Sequence, residues 1–237
     1  MKLDMVVVGA HPDDAEISVG GIILKASQAG RKVGIVDVTR GEMGTRGTAQ
    51  DRDREAERAS DLLGLAWRQN LGQPDSRVTP HIEAREELAR LFRETRPDVV
   101  ISHHTEDLHP DHAATGRLVR EAWYVAGLAR AAERDGGPAA HRPGRLFHFL
   151  SHVDFEPSFV VDVGEVFEQK REVVRCYATQ LAPESDGDRG EHFLFGADIL
   201  QRMESKARYY GEKIGAIYGE PLLHIGPVPL ADPLSVG

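Results

Sequence analysis

Apolar residues along this chain fall into two alternating patterns, short unbroken runs and longer stretches with helical spacing. Met5-Val6-Val7-Val8-Gly9-Ala10 is a continuous apolar run rich in β-branched residues, which marks a parallel strand buried on both faces. Ile17 to Ala29 reads as a helix ended by Gly30, and Lys32 to Val38 as a second buried strand, so the chain opens with a βαβ unit. A Gly-rich loop from Arg40 to Thr48 leads into a charged helix, about Asp51 to Leu63, with Ala56, Ala59 and Leu63 on one face. Trp67 to Leu71 is a short strand, Gln73-Pro74-Asp75-Ser76 a turn and Ile82 to Thr95 a helix closed by Pro97. Asp98-Val99-Val100-Ile101-Ser102 is the next buried strand, and a helix is expected from about Asp111 to Glu133. Leu146 to Leu150 and Phe159 to Val163 read as later strands. Helices around Val166 to Ala178 and Phe195 to Ile217 follow, and a Pro-rich tail runs from Pro221. This alternation predicts an α/β fold: a doubly wound, mostly parallel, Rossmann-like sheet flanked by helices, with a helical C-terminal part.

The chain has 237 residues, 41% of them hydrophobic and 28% charged, enough to build and cover the core of one domain, expected to span residues 1–237. A formal net charge of −9 argues against the basic footprint that nucleic acid or an anionic membrane requires, which leaves small molecules and other subunits as partners. The single cysteine, Cys176, lies in a helical stretch and reads as a small buried hydrophobe; with no intrachain disulfide possible, a reducing compartment fits. A secretory signal needs roughly 7–15 apolar residues after a positive start, and a membrane span roughly 18 or more. The run from Met5 to Ala10 is too short for either, so a cytoplasmic protein is expected.

Two polar clusters stand where an open α/β sheet gathers its ligands, directly after strand ends. His11-Pro12-Asp13-Asp14-Ala15-Glu16 follows the first strand, and His103-His104-Thr105-Glu106-Asp107-Leu108-His109-Pro110-Asp111-His112 follows the strand ending at Ser102. A hydrolytic zinc site takes three nitrogen or oxygen ligands and leaves a fourth place for water, and His11, Asp14 and His112 meet that need. Asp13 is then left as general base; His109 can donate to an oxyanion or protonate a leaving amine, and Asp111 can hold that imidazole in the useful tautomer. His-Pro-Asp-Asp alone is also a good turn sequence. Two such segments at matching strand ends shift the reading, because burying this many polar groups without a metal or substrate is costly. His103 and His104 read as supporting or exposed loop residues rather than a fourth ligand. The same two-histidine, one-carboxylate set describes non-haem iron oxygenases, so Fe2+ stays open beside Zn2+, although those enzymes present the triad on a β-barrel. A metal-stabilised sugar-binding module is the non-enzymatic alternative, disfavoured by the uncommitted Asp13.

Gly9-Ala10-His11-Pro12-Asp13-Asp14-Ala15-Glu16 together with His109-Pro110-Asp111-His112 resembles the LmbE-like, or PIG-L, N-acetylglucosaminyl deacetylase superfamily. The similarity extends through Thr39-Arg40-Gly41-Glu42-Met43-Gly44, Arg52, Asn70-Leu71-Gly72, Pro74-Asp75 and Tyr218-Gly219-Glu220-Pro221, most like the bacillithiol biosynthesis branch. The resemblance implies zinc on His11, Asp14 and His112, Asp13 as base, and His109 held by Asp111 at the tetrahedral intermediate. It also implies substrate contacts from Arg52 and Asp75, each of which has a plainer reading, a solvated helix face for Arg52 and a turn for Asp75. The substrate it implies is a small acetamido sugar, N-acetylglucosaminyl malate first, with chito-oligosaccharides and thiol-conjugate amides as alternatives. It further suggests a homo-oligomer, a trimer or hexamer. A late tyrosine that assists the oxyanion in some members has no clear counterpart, since Phe193 and Phe195 stand in that region.

Overall fold

The computed structural model describes residues 1–44, 46–181 and 199–228. The first strand, β1 (Met5–Gly9), shows why an unbroken apolar run was needed. Met5 and Val7 pack into one core with Val33, Ile35 and Ile101, whereas Val6 and Val8 enter a second core with Val36, Val38 and Val100. Around β1 stand β2 (Val33–Thr39), β3 (Trp67–Gln73), β4 (Val99–His103) and β5 (Arg145–Phe149), all parallel, in the order β3-β2-β1-β4-β5. Helices α1 (Asp14–Gln28) and α2 (Ala49–Leu63) cover one face, and α3 (Ile82–Thr95) and α4 (Pro110–Ala126) the other. The doubly wound sheet is therefore as expected.

The C-terminal part corrects the sequence reading in four places. The helix expected from Asp111 to Glu133 is two, α4 and α5 (Ala129–Arg134), parted at Gly127 and Leu128. Gly127 lies so close to Arg142 that a Cβ there would come within 2.6 Å of the guanidinium nitrogen, and this crowding goes with the break. Beyond β6 (Phe159–Asp162), the helix expected over Val166 to Ala178 divides into a 3-10 turn at Gly164–Val166, α6 (Phe167–Arg175) and α7 (Ala178–Leu181). The next helix, α8, covers Ile199–Glu212; Phe193 and Phe195 lie outside the described residues. The presumed tail contains a strand, β7 (Gly219–Leu223), antiparallel to both β5 and β6 and inserted between them. Pro221 is tolerated because the ladder to β5 starts only at Leu222.

Two buried ionic networks fix α1, the helix that follows the first polar cluster. Near its start, Glu16 accepts from the Arg68 guanidinium at 2.7 Å and the Tyr177 hydroxyl at 2.6 Å, while Arg68 also forks onto Asp37 at 2.7 and 2.9 Å. Halfway along, Val19 leaves helical geometry (φ −135°, ψ 22°), which frees the amides that follow. Glu220 of β7 takes them up, accepting from Gly21 N at 2.9 Å and Ile22 N at 2.8 Å, and its charge is met by Lys170 Nζ at 2.5 Å. Gly21 is required for this, since a Cβ would stand 2.9 Å from the Glu220 oxygen and 2.7 Å from Val163. Lys170 and Glu220 are each only 2% exposed, so removing one partner leaves an uncompensated charge in the interior. Glu220→Ala is expected to lower unfolding stability by about 3–5 kcal/mol in chemical denaturation, with Lys170→Met added to it restoring part of the loss.

Candidate metal centre

The strand order reverses beside β1: α1 carries the chain to β2 on one side, and β4 lies on the other. Ligand crevices form at such switch points, outside the carboxyl ends of the strands. The register pairs Val8 of β1 with Ser102 of β4, so the residues that follow each strand meet across this crevice. His11 and Asp14 come from the β1 end, and His109 caps α4 with His112 in its first turn.

One nitrogen or oxygen from each of His11, Asp14 and His112 lies within 4.8 Å of the other two, a spacing that one ion can bridge. Asp14 Oδ2 is 3.4 Å from His11 Nδ1, and Asp14 Oδ1 is 3.3 Å from His112 Nε2. The remaining imidazole nitrogens face carboxylates. His11 Nε2 is 3.2 Å from Asp75 Oδ1 and 3.5 Å from Asp111 Oδ2, and His112 Nδ1 is 3.3 Å from Asp107 Oδ1. Carboxylates behind ligating histidines fix the tautomer and raise the basicity of the ligand nitrogen.

Electrostatics point the same way. Burial pulls the His11 and His112 pKa values down, yet the surrounding carboxylates prevail, Asp111, Asp14 and Asp75 raising His11 well above normal and Asp14 and Asp107 raising His112 to about 9. Burial likewise pushes Asp14 up, but His112, His103 and His11 hold it well below the usual range. The cluster thus demands positive charge, and without a metal it takes protons instead. Two imidazole nitrogens and one carboxylate oxygen, buried and braced from behind, suit a divalent transition metal. A second set, Asp107, His112 and His152, and a third, His11, His109 and Asp111, also bring ligand atoms within 4.8 Å.

Asp13 has φ 124°, a strained value for a residue other than glycine, and strain of this kind concentrates at functional sites. Arg52 secures the turn by donating to the Pro12 carbonyl and standing 3.2 Å from Asp13 Oδ2. The Arg52 side chain is 4% exposed and packs 5.5 Å over the Tyr177 ring, so it is no solvated helix face. Asp75 is likewise more than a turn residue. Its carboxylate is occupied by His11 and by the Met43 amide at 2.8 Å, and it is held at about 2, burial being outweighed by those bonds. Asp111 does not hold His109 through its carboxylate, which accepts from Ser76 N at 2.7 Å and Val78 N at 3.2 Å. Instead the Asp111 amide donates to His109 Nδ1 at 3.2 Å. That bond assigns the acceptor role to Nδ1 and leaves the proton of a neutral ring on Nε2. Burial first, and then the positive His112 and His11, lower His109 to about 4, so the ring is neutral.

His103 was read from sequence as a supporting or exposed loop residue, whereas Asp107 and His152 were not assigned a role. His103, fully buried, ends β4 with its Nε2 3.1 Å from Asp14 Oδ2 and from the Ala10 amide, and its ring stacks on His112 at 4.1 Å. Asp107 binds His152 Nδ1 at 2.7 Å besides facing His112, and the His152 ring stacks on His112 at 4.9 Å. Its place in a His/Asp-rich run hinted at Asp107, whereas His152 lies alone after β5 and gave no signal.

A buried cluster of potential metal ligands at the switch point of an α/β sheet, with a strained carboxylate beside it, is an arrangement that suits a metal-dependent hydrolase. Residues 6–123 match the family described as PIG-L, GlcNAc-PI de-N-acetylase. A diacetylchitobiose deacetylase of Thermococcus kodakarensis is 30% identical over 92% of this chain and 84% of its own length. A probable N-acetyl-alpha-D-glucosaminyl L-malate deacetylase 2 of Bacillus anthracis is 29% identical over 75% of this chain and 81% of its own. Among solved structures, a conserved protein of Thermus thermophilus superposes with TM-score 0.84 at 36% identity, covering 97% of both chains. The chain belongs to the PIG-L, or LmbE-like, deacetylase family and is an amidohydrolase.

Asp75→Ala is expected to weaken metal binding about 10–100-fold while leaving the fold intact, as read by isothermal titration with zinc and by circular dichroism. Unchanged zinc affinity would show that the carboxylate behind His11 contributes nothing to the site.

Proposed function

We propose that this protein hydrolyses the N-acetyl group of an N-acetylglucosaminyl compound, releasing acetate and the free amine, with zinc as its metal. The observation that carries this reading is the pairing of the His11, Asp14 and His112 cluster with an adjacent, non-ligating Asp13. A divalent ion held by those three residues supplies a Lewis acid that polarises the amide carbonyl and lowers the pKa of water towards about 7.

The chain's own groups account for the proton traffic. Burial raises the Asp13 carboxyl to about 6, Asp14 adding to the rise and Arg52 opposing it, so near neutral pH it is ionised yet basic enough to accept a proton from the attacking water. The strained turn is clamped by Arg52, which donates to the Pro12 carbonyl and faces the Asp13 carboxylate at 3.2 Å. His109 presents Nε2–H towards the negative charge developing on the carbonyl oxygen, its ring set by the Asp111 amide. Asp13 then returns its proton to the departing nitrogen. In this account Asp75, Asp111 and Asp107 position the histidines, and Arg52 positions the base.

Among acetamido sugars, N-acetylglucosaminyl malate and diacetylchitobiose are the two candidates that the likeness to the Bacillus and Thermococcus enzymes supports. No helix among the described residues is long and apolar enough to cross a membrane, which is compatible with action on such small molecules in the cytoplasm. The test is acetate release from both compounds by the zinc-loaded protein. Asp13→Asn should retain one zinc per chain and lose about 10²–10⁴-fold in kcat, whereas His112→Ala should lose the zinc itself. Stoichiometric zinc in His112→Ala, or full turnover in Asp13→Asn, would remove that residue from its role.

A further inference from the structure

Next to the candidate ligand cluster a cavity of about 160 Å³ opens between α1, α8 and β7, with Asp14 and His112 among the residues that line it. Its walls are apolar in the main, with Ile17 from α1, Leu150 beyond β5, and Met203 and Ala207 from α8. Lys170 and Lys206 also face it, but their ammonium groups are engaged, the first by Glu220 at 2.5 Å and the second by the Ser151 carbonyl at 2.5 Å. They therefore present mainly methylene stems. Arg202 is the other cation on the wall.

Neither Asp13 nor His109 lines this cavity. In amide hydrolysis the nitrogen must leave towards the group that protonates it, so the amine half of the substrate lies on the Asp13 side. The acyl half is directed the other way, past Asp14 and His112. An engineered apolar cavity of about 150 Å³ accepts benzene, a six-carbon molecule, whereas an acetyl group would offer this space a single methyl.

We propose that this cavity is an acyl pocket and that the enzyme removes N-acyl groups longer than acetyl, up to about six carbons, from the amino sugar. The inference rests on the deacetylase reading and deepens it. The chemistry is unchanged: the water oxygen bonds to the carbonyl carbon, the C–N bond breaks, the nitrogen gains the proton, and a longer carboxylate leaves in place of acetate.

The experiment uses the zinc-loaded full chain and N-acetyl-, N-butanoyl- and N-hexanoyl-glucosamine carried on one and the same aglycone, with free amine as the readout. The expected result is a kcat/KM for butanoyl and hexanoyl compounds at least equal to that for acetyl. Inhibition by the free carboxylates should strengthen from acetate to hexanoate. Ala207→Leu narrows the cavity and should lower the hexanoyl-to-acetyl ratio at least tenfold, and Met203→Ala widens it and should raise that ratio. Because each variant is judged by a ratio, a general loss of activity does not imitate the effect. Hydrolysis of the acetyl compound with a tenfold or greater fall at butanoyl would overturn the acyl pocket alone, as would a ratio that neither variant moves. Failure of every compound, acetyl included, would overturn the deacetylase reading and the pocket together.

Discussion

Everything at this site depends on compensating the charge of one buried carboxylate. Asp14 sits at the start of α1 with the imidazoles of His11, His103 and His112 within 3.4 Å of its oxygens, and the outer nitrogens of His11 and His112 face further carboxylates. Such an assembly has too many negative groups for its degree of burial unless positive charge is present. The carboxylates around His11 and His112 favour the protonated imidazoles, and a divalent ion would supply positive charge to all three residues at once. The site is thus a binding site for a cation before it is a catalytic one.

The scaffold around that carboxylate is correspondingly overdetermined. Glu16, two residues on from Asp14, is anchored by Arg68 and Tyr177, and the second half of α1 is capped by Glu220 from a strand far along the chain. Arg52 ties down the strained turn at Asp13 from α2. The turn is held from three directions, which allows Asp13 to keep an unfavourable backbone conformation beside the cluster.

Sequence pattern revealed most of this architecture for a physical reason. Parallel strands buried on both faces must be uninterrupted apolar runs, so Met5–Gly9 and Val99–His103 were legible, and polar clusters at their ends marked the crevice. The ligand candidates His11, Asp14 and His112 do come together. What escaped depends on partners distant in sequence. The contacts of Asp75 and Arg52 are made with His11 and Asp13, 64 and 39 residues away in sequence, and the turn and charged helix around them gave no sign of those partners. Strand β7 was hidden by Pro221, whose residue type argues against a strand unless the ladder on one side is absent. The break after α4 falls at Gly127, where Arg142 leaves no room for a Cβ, a contact that no helical periodicity records.

Three overlapping donor sets could each hold an ion here, and the set centred on Asp14 is the one proposed. Anomalous diffraction at the zinc edge from crystals of the metal-loaded protein measures the choice directly. A single peak bonded to His11 Nδ1, an oxygen of Asp14 and His112 Nε2, with Asp13 uncoordinated, is the predicted result. A peak held by Asp107, His112 and His152, or one coordinated by Asp13, would contradict it.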